Sequence, residues 1–263
     1  MSAPPDADSA LQAAVRLARA LGRPDRDLAI LAEGNTSARV DDQSFWVKAS
    51  GLSLHEIDAG GFVRISFEAI LSILEMELTD AQVKDGLSNA RLHETSRMPS
   101  VETFMHAYLL SLPDVDVVGH THPTPLISLL CRDDAEQIAK SRLFPDEVVC
   151  CGPAAAFVPY CDPGLPLARA IRTAVEGYVQ DHGAVPKTIW LGSHGLIALG
   201  KTVDEVESAT LMSAKAARVW LGALSSHRSL HTLTPEQIER IHSRPDEHYR
   251  QRLLWNLRKN PLQ

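Results

Sequence analysis

The chain has 263 residues, of which 44% are hydrophobic and 22% charged, and its formal net charge is -7. This is a globular composition with ample apolar area for a core. The acidic balance repels phosphate backbones and anionic lipid, and no apolar run approaches the roughly 20 residues a bilayer span needs, so neither nucleic acid nor membrane is expected as a partner.

The N-terminal MSAPPDADSA lacks the basic start and apolar stretch of a secretory signal, and a cytoplasmic location is expected. Residues 1–8 read as a frayed tail. Ala10 to Leu21 has the spacing of an amphipathic helix stopped at Gly22, and Arg26 to Ala32 reads as a second short helical piece. Strands are expected over Ser37–Val40 and Phe45–Ala49, with Asp41, Asp42 and Gln43 as the turn. Phe67 to Glu77 has helical spacing, and Asp80 to Met98 reads as a polar surface excursion with short helical pieces.

Ser100 is placed to cap a helix through Thr103, Met105, Tyr108 and Leu110, stopped by Pro113 and Asp114. Val115, Val117 and Val118 start a strand leading into Gly119-His120-Thr121-His122-Pro123, and a helix follows from Thr124 to Cys131. Short strands are expected at Val148–Cys150, Ala156–Pro159, Thr188–Leu191 and Leu196–Leu199, with a helix over Leu165–Asp181. Thr202-Val203-Asp204-Glu205 reads as a capping box for a helix towards Leu224, and Pro235–Leu257 is helical in pattern with a break near Pro245. Helices and strands alternate without a repeat or linker, which argues for one α/β domain over 1–263, with 225–263 as a C-terminal helical extension.

Four cysteines, Cys131, Cys150, Cys151 and Cys161, form no C-x-x-C pair. Cys150 and Cys151 follow two valines as in a buried strand, so all four read as small core hydrophobes rather than zinc ligands or disulfides.

The chemistry-bearing pattern is His120-Thr121-His122. Side chains two apart on a strand share a face, so two imidazoles there can grip a borderline metal ion. A catalytic site of this kind needs a third ligand and an open position, and His194, between Gly192-Ser193 and Gly195, is the best candidate. Glu102 lies in the first turn of its expected helix, where an acid complements the helix dipole or serves as general acid/base. His106 lies one turn on along the same face, in a supporting role. Gly34-Asn35-Thr36-Ser37 and Lys48-Ala49-Ser50-Gly51 are polar clusters at strand ends that can cradle a phosphate or carboxylate, with Lys48 expected to point to solvent.

Taken in order, GNTS at 34–37, KASG at 48–51, SVETFMH at 100–106, GHTHP at 119–123 and SHG at 193–195 resemble the class II aldolase/adducin family. The resemblance implies a three-layer α/β/α fold around a central, largely antiparallel sheet. It implies a homotetramer with active sites between neighbouring subunits. It implies His120, His122 and His194 as metal ligands, Glu102 as the aldolase acid/base, and Asn35, Ser37, Ser50, Gly51 and Ser100 as anion-binding positions. One divalent ion per subunit is expected, zinc first, with manganese, cobalt or iron also suited to histidine ligands. Two serines precede the glutamate in fuculose-type aldolases, whereas Ser100 and Val101 stand here, one hydroxyl fewer. The stretch between Gly51 and Ser100 is also longer than in the small aldolases. Tyr249 is the candidate for the tyrosine proton donor those enzymes take from a partner subunit.

The function implied is a divalent-metal-dependent lyase. It would cleave a C–C bond of a small hydroxyketone, sugar phosphate or keto acid through a metal-stabilised enediolate. A decarboxylase or dehydratase would use the same enolate chemistry. A metal-dependent hydrolase would need a water-activating base, a role open to Glu102. An adducin-like interaction domain would dispense with the metal site, and the presence of all three histidines and Glu102 argues against it.

Overall fold

The computed structural model describes residues 7–93, 97–226 and 228–244. Seven strands form one sheet: β1 (Asn35–Arg39), β2 (Ser44–Lys48), β3 (Phe62–Ser66), β4 (Val117–Thr121), β5 (Ala156–Val158), β6 (Thr188–Leu191) and β7 (Gly195–Gly200). Their order is β3-β2-β1-β4-β7-β6-β5, and every neighbouring pair is antiparallel except β5 and β6. Ten helices are described: α1 (Ala7–Leu21), α2 (Phe67–Leu74), α3 (Asp80–Asn89), α4 (Thr103–Leu110), α5 (Thr124–Leu130), α6 (Ala135–Ala139), α7 (Pro145–Cys151), α8 (Leu165–His182), α9 (Val203–Leu224) and α10 (Pro235–His242). None of them is long and apolar enough to cross a membrane.

The strand alternation of period two sorts the sheet into two apolar faces. Val118 of β4 packs with Phe104 and Leu109 of α4 and Ile171 of α8, whereas Val117 packs with Leu17 of α1 and Val206 of α9. The result is the expected α/β/α arrangement around a largely antiparallel sheet. On β1 the same alternation puts Asn35 and Ser37 opposite His120 and Val118 of β4. The polar pair and His120 therefore share the face that α4 covers.

Several local expectations are corrected. Val148–Cys150 is helical, within α7. Pro145 at the start and Asp146 and Glu147 in the first turn are helix-opening signals that outweigh the β-branched valines. Arg26–Ala32 is no second helix: a single 3-10 turn at Pro24–Arg26 gives way to a loop with Asp27 and Leu31 at positive φ. The 52–99 excursion contains β3, an edge strand, and α3, whose start is a complete Thr79–Gln82 capping box. Thr202 does cap α9 by accepting from Glu205 N–H, but the Glu205 carboxylate accepts from Lys201 N–H rather than closing the box. All four cysteines are free, yet only Cys151 is buried, and Cys131 is exposed. Pro235–Leu257 is helical over α10, and its remainder from 245 lies outside the described residues.

Candidate metal centre

His120 sits near the end of β4, and His122 lies one residue beyond the strand. His194 stands in the turn between β6 and β7, after Ser193 in the left-handed region (φ 50). The β4–β7 pairing aligns Thr121 with Leu196 and so brings the turn alongside the H-x-H pair. Among the described residues these are the one histidine, cysteine or carboxylate group able to hold a metal ion, with one ring nitrogen from each within 4.8 Å of the others.

The donor set fits a borderline divalent cation. His120 is fully buried, and its Nδ1 meets the Leu196 carbonyl at 3.0 Å. A carbonyl only accepts, so Nδ1 carries the proton and the Nε2 lone pair faces the other rings. His120 Nε2 lies 3.0 Å from His122 Nε2. Burial, then the neighbouring His122 and His194, holds the His120 ring well below the ordinary histidine range; burial also lowers His194, against the opposing pull of Glu102. Neutral rings are what coordination requires.

Gly195 is needed at this junction. A Cβ there would stand 2.6 Å from the Thr121 carbonyl and 2.8 Å from the His122 ring. Gly195→Ala is therefore expected to displace His122 and weaken metal binding by roughly tenfold or more, as disturbing the groups that orient a ligand does. Unchanged affinity in a zinc titration would contradict this packing.

Glu102 faces the triad. It is 8% exposed, and its Oε1 lies 3.6 Å from His120 Nε2 and 3.5 Å from His194 Nε2. Its other oxygen, Oε2, accepts from Asn35 Nδ2 at 2.6 Å. Glu102 occupies the cap position of α4 rather than the first turn, and Ser100 accepts the Glu102 N–H with its hydroxyl at 3.3 Å. His106, one turn along, is fully buried; its Nδ1 lies 2.6 Å from Ser37 Oγ and its Nε2 contacts Asn35 Oδ1.

Lys48 corrects the expectation that it points to solvent. It is 2% exposed at the end of β2, with Nζ reaching the Ala32 carbonyl at 3.4 Å. Burial lowers the ammonium pKa to about 8, with Glu102 pulling it back up. The sequence placed Lys48 in a polar cluster; what it concealed was the loop before Gly34, which closes over the strand end. Below about pH 8 the ammonium is charged in both folded and unfolded chains, so the folded state bears the whole burial cost. That cost fades as pH rises from about 8 towards the ordinary lysine range. Lys48→Met is accordingly expected to stabilise the fold at neutral pH by about 1 kcal/mol, after loss of the Ala32 and Glu102 contacts. Denaturant unfolding at pH 7 measures it, and a lowered midpoint would refute it.

The other expected anion positions spread outwards. Asn35 and Ser37 are buried and engaged with Glu102 and His106. Ser100 is 9% exposed, whereas Ser50 and Gly51 (φ 77) are exposed. Ser50 and Val101 also line a cavity of about 510 Å³ walled by Leu78, Leu87, Met98 and Leu165. The long segment after Gly51 thus builds a wall next to Ser50. Tyr249 lies outside the described residues.

Three imidazoles converging beside a buried carboxylate, at the strand ends of an α/β/α sheet, define a candidate metalloprotein. Residues 12–221 match the model of the Class II Aldolase and Adducin N-terminal domain, and the chain belongs to that family. It is 28% identical over 206 residues to YuxG of Bacillus subtilis (strain 168), described as an uncharacterized oxidoreductase, covering 75% of this chain. It is 35% identical over 104 residues to methylthioribulose-1-phosphate dehydratase of Microcystis aeruginosa, covering 38% of this chain. The matched stretches span 27% and 42% of those two proteins. Among solved structures, an L-fuculose 1-phosphate aldolase aligns with TM-score 0.67 at 19% identity, over 90% of this chain and 95% of that one, a likeness of fold.

Proposed function

We propose that the chain is a divalent-metal-dependent lyase that cleaves a C–C bond in a small hydroxyketone, sugar phosphate or keto acid. The observation that carries this reading is the placement of Glu102 Oε1, 3.5–3.6 Å from the His120 and His194 nitrogens. His120, His122 and His194 would hold a divalent ion, zinc by preference, and the bound ion would supply Lewis-acid polarisation of a substrate oxygen. Glu102 moves the proton at the substrate carbon. Its Oε1 is the atom for that role, because Oε2 is held by Asn35. The Lys48 ammonium adds positive charge beside Glu102, favourable to an anionic substrate. Ser50, Gly51 and Ser100 form the outer anion-binding rim, and Asn35 and Ser37 support it from beneath.

Beyond the single chain, we take the working form as a cytoplasmic homotetramer in carbohydrate metabolism, with residues 1–263 as one domain and active sites between neighbouring subunits. A dehydratase is the second reading, favoured by the Microcystis relative. It would use the same Glu102 to abstract a proton, with loss of hydroxide in place of a carbon fragment.

A product screen separates these readings. Zinc-reconstituted protein is incubated with a panel of ketose phosphates, hydroxyketones and keto acids. Two carbon fragments from one substrate support the lyase, and loss of one water supports the dehydratase. No turnover across the panel by fully metallated protein would count against both.

A further inference from the structure

The buried contacts behind Glu102 have a direction that the donor and acceptor inventory fixes. The Asn35 amide nitrogen donates to Glu102 Oε2 at 2.6 Å. The amide oxygen therefore faces His106 Nε2. That oxygen only accepts, so Nε2 carries the ring proton. Nδ1 of the neutral ring is then an acceptor, and Ser37 Oγ, 2.6 Å away, donates to it. Complete burial of the ring lowers its pKa to about 3, which keeps it neutral. The opposite tautomer would present a lone pair to Asn35, turn the amide over and set two oxygens against each other at Glu102.

We propose that His106, held by Ser37 as its Nε2–H tautomer, is a positioning residue that works through Asn35. It pins Glu102 Oε2 and so leaves Oε1 as the single mobile proton site, facing His120 and His194. The chain of bonds runs Ser37 to His106 to Asn35 to Glu102. Glu102 and His106 are four apart at the start of α4, and Asn35 and Ser37 are two apart on β1. The two spacings bring matching pairs together across the helix–sheet interface, and His106 reaches Glu102 through β1. The role in turnover rests on the reading of Glu102 as acid/base; the tautomer does not.

The test uses zinc-loaded full-length protein labelled with nitrogen-15 at histidine, as wild type, His106→Gln and His106→Leu. Imidazole nitrogen spectra of the wild type are expected to show His106, assigned by its disappearance in the variants, as a neutral Nε2–H ring throughout the neutral pH range. An Nδ1–H or charged ring overturns the proposal. On a substrate found by the screen, His106→Leu is expected to lower kcat about tenfold or more with KM and zinc content unchanged, since small misplacements of a reacting group are costly. His106→Gln, whose amide N–H can replace the Nε2–H, is expected to restore kcat to within about threefold. Equal kcat in the Leu variant and wild type, or a Gln variant as impaired as the Leu one, overturns it. A Leu variant that fails to fold leaves the ring spectrum and the Gln variant to decide. The spectra need no substrate: a failed screen removes the lyase reading alone, and a wrong tautomer removes this inference alone.

Discussion

Glu102→Gln is expected to bind metal as the wild type does and to lose at least a hundredfold in turnover. General acid/base groups supply roughly 10²–10⁴-fold, and the amide cannot exchange a proton near neutral pH. Shape is conserved, so the loss reports on chemistry. Oε1 faces the His120 and His194 rings, and Gln keeps an oxygen able to accept from Asn35. The measurement is kcat beside zinc content on the same preparation. Full activity would remove Glu102 from the mechanism, and lost zinc would reassign it as a ligand.

His120→Ala carries the second large effect. This ring is fully buried, oriented by the Leu196 carbonyl and central to the triad, with ring centroids 4.8 and 5.0 Å from His122 and His194. Its removal leaves two donors at a site that needs three, and affinity should fall by more than the roughly 10–100-fold that losing a group hydrogen-bonded to a ligand costs. A competitive zinc titration reads the loss directly. Retained affinity would mean that the ion sits elsewhere.

The parts of this site that were legible in the sequence share a local cause. H-x-H on a strand and a Glu102–His106 helical spacing follow from fixed backbone periods, and His194 was marked by the glycines that flank it in a tight turn. What stayed hidden depends on non-local pairing. That Asn35 and Ser37 meet His106, rather than open space at a strand end, follows from the β1–β4 register and the packing of α4 on that face. The burial of Lys48 depends on a loop whose Asp27 and Leu31 adopt left-handed geometry that neither residue type announces. The edge strand β3 is only five residues long, carries Arg64 at its centre and runs directly into α2 at Phe67, so its period-two signal is short. In α7 the valines and cysteines mimic a strand, and the Pro145-Asp146-Glu147 opening was the stronger physical signal.

The most direct test of the central claim is metal content per chain in untagged, freshly purified protein, beside a His120→Ala/His122→Ala double variant. About one equivalent of divalent metal in the wild type and almost none in the folded variant is the expected result, since the triad offers three nitrogens within 4.8 Å and the variant keeps one. A wild type that holds little metal even after zinc or manganese is added back would contradict the account and bring forward a non-catalytic interaction domain.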